Sequence, residues 1–278
     1  MRASLHAAAG LAVLDITFLP LGHDASAWVY RARMADGGTY FVKVRQRVSN
    51  VAGLLVPRYL RDQGITQIAA PLPARASVPV RASHRPGAGA LWTPAGDYAM
   101  LLYPFIEGAT GMACGLLEHQ WIEYGALLRQ VHDTAVPPDL AQHLARESFA
   151  PAGADLLRAL DAQISARSFD HVDPAASALA PFWQSHRETI RLLLARAEDL
   201  GQRLAGTAPP LVLCHADIHT GNVLLDTAGR VWFVDWDETM LAPRERDLMF
   251  AVGGGISAKL VGTSEERLFL QGYHRGGR

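Results

Sequence analysis

The chain has 278 residues, 49% of them hydrophobic, enough to bury a substantial core in one large domain or two fused lobes. Its formal net charge of −1 argues against a polyanion binder, which would carry a basic stripe, so no nucleic-acid partner is expected. The two cysteines, Cys114 and Cys214, make no disulfide framework, and no stretch has the length of a signal core or a spanning helix. The expected setting is a reducing cytoplasm without membrane contact.

Residues 18–22 read as a first strand feeding a loop. Residues 27–34 alternate in character, Asp36-Gly37-Gly38 is a turn signal, and Thr39-Tyr40-Phe41-Val42-Lys43-Val44 is rich in β-formers. This predicts a hairpin with Lys43 near the end of its second strand. Residues 51–63 read as a helix ended by Gly64, and residues 73–97, rich in Pro, Gly and Ala, as loop. Residues 98–103 read as a buried strand and 104–108 as a connector, which places a lobe boundary between 103 and 104. The pattern then becomes helical. Trp121, Tyr124, Leu127, Leu128 and Val131 recur at three-to-four spacing within 117–132, and Ile190, Leu193, Leu194, Ala197, Leu200 and Leu204 fall on one face within 181–204. Residues 137–180 show weak periodicity. The switch from period two to helical spacing near Gly108 predicts an α+β chain. Residues 1–103 form a small β-rich lobe and residues 104–278 a larger, mainly helical one, interrupted by a hairpin at 223–234.

The chemistry concentrates in residues 211–238. A short apolar run leads into the polar loop His215-Ala216-Asp217-Ile218-His219-Thr220-Gly221-Asn222; a hairpin follows, and it ends in Asp235-Trp236-Asp237-Glu238. A tight hairpin can return Asp235 beside Asn222. That set suits phosphoryl transfer, which needs a carboxylate to orient the attacking hydroxyl and hard oxygen ligands for a Mg²⁺ ion bridging nucleotide phosphates. Asp217 suits the first role, Asn222 and Asp235 the second, and Lys43 could neutralise the α- and β-phosphates. The base needs an apolar slot edged by backbone polar groups, which the strand and connector at 98–106, including Tyr103 and Phe105, supply. Ser26, closing the turn 22–26, is a candidate phosphate contact. Two other readings of the loop remain: ordinary turn residues, and a transition-metal site on His215, Asp217 and His219. Cys214, among apolar neighbours, reads as a buried inert thiol.

The loop from His215 to Asn222 and the Val234-Asp235-Trp236-Asp237 segment resemble the catalytic and metal-binding loops of aminoglycoside phosphotransferases and choline-kinase-like enzymes. The helix ending Leu128-Arg129-Gln130-Val131-His132 is similar to another element of that family. The resemblance covers the chain from about residue 20 onward. It implies a two-lobed protein-kinase-like fold, ATP or GTP as co-substrate, Mg²⁺ as cofactor and a small-molecule acceptor. Residues 235–250 and 269–273 resemble the spectinomycin phosphotransferase branch. This implies an aminocyclitol acceptor, with Asp237 or Glu238 facing its ammonium groups; the alternative for these acids is capping the next turn or pairing with Arg244 and Arg246. His215 and Asp247 are expected to support the catalytic loop, and His219 either braces it or touches substrate. Two departures from the pattern stand out. Between Lys43 and Glu107 there is no glutamate to pair with the lysine, only Asp62 and Asp97. The resembling enzymes also continue with helices beyond the tail seen here, so part of the substrate wall is expected to be lacking. A metabolite kinase for an amino-alcohol or sugar, and a non-catalytic nucleotide-binding relative, are the competing functions. Oligomeric state is not legible.

Overall fold

The computed structural model describes residues 12–20, 26–46, 48, 50–73, 91–166, 174–253 and 261–276. Most of the turn at 22–26 lies outside them; Ser26 is described. The chain divides into two compact units, residues 1–146 with 211–278, and residues 147–210. The expected lobe boundary at 103/104 falls inside the first.

The first unit opens with a five-stranded antiparallel sheet in the order β1-β2-β3-β5-β4, from β1 (Val13–Leu19), β2 (Ala27–Met34), β3 (Thr39–Arg45), β4 (Thr93–Ala95) and β5 (Tyr98–Pro104). The β2–β3 hairpin turns on Asp36, whose Oδ1 accepts the Gly38 N–H at 2.8 Å. Gly37 supplies the left-handed φ of 83° that a side chain would resist. Alternation sends Ala32, Met34, Val42 and Met100 into one buried cluster. Lys43 therefore projects from the other face. It pairs in register with Val29 and Leu101, and Leu101 packs against Leu54 of helix α1 (Ala52–Asp62).

This unit also holds β6 (Gly108–Thr110), α2 (Gly111–Cys114), α3 (Glu118–Asp133), α4 (Pro138–Ala141), α7 (Glu245–Leu248) and α8 (Thr263–Arg275). With them run β7 (Ala145–Arg146), β8 (Val212–Cys214), β9 (Val223–Asp226), β10 (Val231–Phe233) and β11 (Met240–Ala242), in sheets ordered β10-β9-β6 and β7-β11-β8. The main core forms where α3 crosses α8. The Tyr124 ring lies 4.8 Å from Phe269 and 5.6 Å from Phe233, and its hydroxyl donates to the Ile218 carbonyl in the loop 215–222. The helices touch backbone to backbone: a Cβ on Gly125 would lie 2.0 Å from the Phe269 carbonyl oxygen, and one on Gly272 1.8 Å from that of Ile122.

The second unit holds α5 (Ala154–Ser165) and α6 (Pro174–Gly206). Asp161 clamps the pair. It accepts Arg187 Nε at 2.7 Å, Trp183 Nε1 at 3.0 Å and Arg191 Nη2 at 2.8 Å, and these bonds hold its carboxyl well below the usual range.

The hairpin, α1, β5 and α3 lie where the sequence places them, and the α+β arrangement of an antiparallel sheet followed by helices is observed. Four differences have physical causes. β4 forms in the stretch read as loop because it pairs with β5, despite its Pro94. α5 escapes pattern reading because Ile164 is its one buried residue, so no apolar stripe is required. Pro181, read as a boundary, sits inside α6, which starts at Pro174. The apolar face expected on α6 is covered only in part: Ile190, Leu194 and Ala197 are half-buried and Trp183 and Gly201 buried, whereas Leu193, Leu200 and Leu204 are exposed.

Candidate active site

β8 ends at Cys214, and the chain enters the loop 215–222 before returning in β9. Asp226 closes the β9–β10 turn by accepting the N–H groups of Ala228 and Arg230 at 2.9 and 3.0 Å. This tight return brings Val234 against Asn222, whose carbonyl accepts the Val234 N–H at 3.1 Å. Asp217, Asn222 and Asp235 are thereby gathered at one corner.

Asn222 is buried and donates its amide nitrogen to the Asp217 carbonyl at 2.7 Å and to Asp217 Oδ2 at 3.0 Å. That orientation turns its amide oxygen away as an acceptor. Asp235, its side chain half exposed, sits at φ 60°, a left-handed conformation that non-glycine residues adopt at a cost of about 1–3 kcal/mol. An amide oxygen and an exposed carboxylate are both hard-oxygen donors, the kind of ligand that Mg²⁺ takes. Asp217 presents a carboxylate 39% exposed, with His219 Nε2 at 3.7 Å. His219 Nδ1 accepts the Gly221 N–H at 3.0 Å, so the ring braces the loop next to that carboxylate.

Beneath the loop lies a buried polar relay. Asp247, fully buried on α7, accepts the N–H of His215 at 2.8 Å and of Ala216 at 2.6 Å. It also meets His132 Nε2 at 3.0 Å, while His132 Nδ1 meets the Tyr273 hydroxyl at 2.7 Å. Ala216 is held at φ 68° by this bonding. His215 Nε2 lies 2.9 Å from the Val234 carbonyl and Nδ1 3.4 Å from the Asp217 N–H. Burial lowers the pKa of this imidazole, against the opposing pull of Asp247. With both ring nitrogens of His215 engaged, a transition-metal site on His215, Asp217 and His219 does not fit. His132, Cys214 and Asp247 also converge, but the Asp247 oxygens are already committed to N–H donors. Burial pushes the Cys214 thiol up, which leaves it protonated.

Lys43 reaches this corner from β3. Its Nζ lies 2.7 Å from Asp237 Oδ2 and 3.2 Å from Asp235 Oδ1. Burial disfavours the ammonium, but the two carboxylates outweigh it and its pKa stands above the ordinary lysine value. Asp237 also accepts Arg45 Nη1 at 3.1 Å. This corrects the expectation that Asp237 faces a substrate ammonium or pairs with Arg244 or Arg246: its carboxylate is spent on two cations of β3. Glu238 is exposed beside it. Tyr103 is half-buried, edge-on to Phe41 at 6.2 Å, and burial with the nearby carboxylates of Asp237 and Asp235 raises its phenol. Phe105 lies under the Arg31 guanidinium at 4.8 Å. Ser26 is exposed at the start of β2, its carbonyl accepting the Gln46 N–H at 3.2 Å. Sequence reading did not find Arg45, Asn50, or the role that His132 and Tyr273 play under the loop. The missing glutamate was the signal for the first two.

A sheet lobe carrying a lysine, joined to a helical region carrying an Asp–Asn–Asp corner, defines a kinase-like phosphotransferase acting on hydroxyl groups. Residues 17–277 match the family model described as the phosphotransferase enzyme family, and the chain belongs to that family. It is similar to spectinomycin phosphotransferase APH(9)-Ia in complex with ADP and spectinomycin: TM-score 0.77 at 31% identity, covering 98% of this chain and 78% of that one. Amicoumacin kinase hAmiN in complex with AMP-PNP and Ca²⁺ shares the fold at TM-score 0.65 and 16% identity, covering 99% and 77%. An ethanolamine kinase of Plasmodium vivax does so at TM-score 0.56 and 13% identity, covering 94% and 67%. No curated protein matches the chain in sequence. Among the described residues no helix is long and apolar enough to cross a membrane.

Proposed function

We propose that this chain transfers the γ-phosphoryl group of ATP or GTP to a hydroxyl of an aminocyclitol antibiotic of the spectinomycin type, and thereby confers resistance. The carrying observation is the 31% identity, over 98% of the chain, to an enzyme held with ADP and spectinomycin. Residues 1–103 hold the nucleotide, with Lys43 on its phosphates, Ser26 near them, and Tyr103 and Phe105 against the base. Residues 104–278 supply the reacting corner. Asn222 and Asp235 hold Mg²⁺, which when bound offsets phosphate charge. Asp217 orients the acceptor hydroxyl and takes its proton as oxygen attacks the γ-phosphorus and the bond to the departing diphosphate breaks. His215 and Asp247 fix the loop. Glu238, exposed beside the metal corner, is the acid available to a substrate ammonium. Dependence on a nucleoside triphosphate makes the cytoplasm the working compartment.

Calorimetric titration with Mg²⁺ and nucleotide present, comparing spectinomycin with a two-ring aminoglycoside, tests the acceptor. Binding of spectinomycin alone supports it; no binding of spectinomycin defeats it. Glu238→Gln is expected to weaken that binding without affecting nucleotide affinity.

A further inference from the structure

Kinases of this fold hold the nucleotide-facing lysine with a glutamate from the following helix. Here that helix, α1, carries none, and the acids between Lys43 and Glu107 are Asp62 and Asp97. Asp62 ends α1 and is committed to Arg58 Nη2 at 2.6 Å and Nε at 3.3 Å. Asp97 lies in the turn between β4 and β5. We infer that Asp237 takes the glutamate's place, as a positioning residue that holds Lys43 from the metal-binding loop itself. The inference rests on the nucleotide role proposed above for Lys43.

Three observations carry it. First, the Lys43–Asp237 contact at 2.7 Å is the shorter of the lysine's two ion pairs among the described residues, and the better shielded. Its partners' side chains are 13% and 24% exposed, against 51% for Asp235. Shielding strengthens such a pair, because solvent screens it less. Asp235 would surrender its charge to a cation, and Asp237 would remain the lysine's partner.

Second, the main chain of Asp237 is fixed independently of its charge. Asn50 donates Nδ2 to the Asp237 carbonyl at 2.6 Å, and its Oδ1 accepts the N–H of Ala52, the first residue of α1, at 3.0 Å. Asn50 therefore ties the start of the helix to the loop.

Third, the space a helical glutamate would cross is closed. A Cβ on Gly53 would lie 2.9 Å from the Trp236 carbonyl oxygen, 3.1 Å from Asp237 Cα and 3.3 Å from Asp237 Oδ1. The helix meets the loop with its backbone, so the acid has to come from the loop side. Arg45, at 3.1 Å from the same carboxylate oxygen, adds a second cation.

The test is a double-mutant cycle on the full chain, read by calorimetry as Mg²⁺–ADP affinity, which needs no acceptor. Lys43→Met is expected to cost about tenfold in the wild-type background, the worth of a charge-assisted hydrogen bond. In the Asp237→Asn background the cost should shrink to less than about threefold, because an unheld lysine contributes little. Equal costs in both backgrounds overturn the inference. Full ADP affinity in Lys43→Met overturns instead the nucleotide role of Lys43. With spectinomycin as acceptor, Asp237→Asn should lower kcat by on the order of 10²-fold, as misplacement of a catalytic group does, with acceptor KM unchanged. A raised acceptor KM with kcat intact would return Asp237 to substrate binding and overturn the inference. Should Asp237→Asn fail to fold, Asn50→Ala serves in its place. It loosens the Asp237 main chain without altering charge and should halve or better the Lys43→Met cost; an unchanged cost overturns the inference.

Discussion

Asp247 offers the sharpest test of how the loop 215–222 is held. Replacing it with alanine strips the acceptor from three donors at once: the N–H groups of His215 and Ala216 and the Nε2 of His132, all buried. Each orphaned buried group costs about 1–3 kcal/mol, so the variant should lose about 3–9 kcal/mol, against a total stability of about 5–15 kcal/mol for a typical domain. Asp247→Asn is milder. Its amide oxygen can still take the Ala216 N–H, and His132 can switch tautomer to accept from the amide nitrogen, leaving the His215 N–H alone unpaired at about 1–3 kcal/mol. Equilibrium urea unfolding followed by circular dichroism measures both. The predicted order is wild type, then Asn, then Ala, with the Ala variant wholly or partly unfolded in buffer. An Asp247→Ala protein within about 1 kcal/mol of wild type would refute the assignment of these bonds as what fixes the loop.

Asp217→Asn is expected to keep the fold and nucleotide affinity while lowering turnover on a confirmed acceptor by about 10²- to 10⁴-fold, read by coupled-assay kinetics. Asp235→Ala should abolish the Mg²⁺ dependence of nucleotide binding in calorimetry; retained dependence would remove Asp235 from the metal site. Gly272→Ala brings a Cβ to within 1.8 Å of the Ile122 carbonyl oxygen and must push α3 and α8 apart. Overpacking of about 1–3 kcal/mol should lower Tm by several degrees in a thermal melt. His215 is buried with a lowered pKa, so below the unfolded value of about 6.5 the unfolded chain takes up a proton that the native state refuses. Its contribution to stability is full above about pH 6.5 and falls as pH drops from there toward the folded pKa. Urea midpoints should follow that course, and a His215→Gln variant should flatten it.

The corner of Asp217, Asn222 and Asp235 was legible because its members lie close in sequence: one loop and one hairpin return, with turn chemistry written in Asp226 and Gly229. The β2–β3 hairpin and α3 were legible for the same reason, since each declares its period locally. The partner of Lys43 was not, because the pair spans 194 positions and the acid is an aspartate of the loop after β10, not a glutamate of the following helix. Asp237 was instead read from its nearness to Asp235 as a substrate acid, a plausible use of a carboxylate that Arg45 and Lys43 had already taken. Nothing in the sequence marks the chain of bonds that runs from Tyr273 to His132 and from His132 to Asp247. The short strands β6, β7, β8 and β11 exist through pairing with distant segments and have no periodicity to read.

The contact of α3 with α8 has a consequence for how the enzyme is made. The loop bearing Asp217 is synthesised before Asp247 and Tyr273, and the residues that steady it come from 31 positions away at Ala216–Asp247 and 141 at His132–Tyr273. Closing contacts of such separation is slow, because chain entropy is lost before any packing is gained. The antiparallel sheet can assemble while the loop is still unsupported, so a newly made or refolding chain should show strand signal well before competence. Competence should arrive with the docking of α8, and a protease that removes that helix should silence the protein while sparing its β-structure.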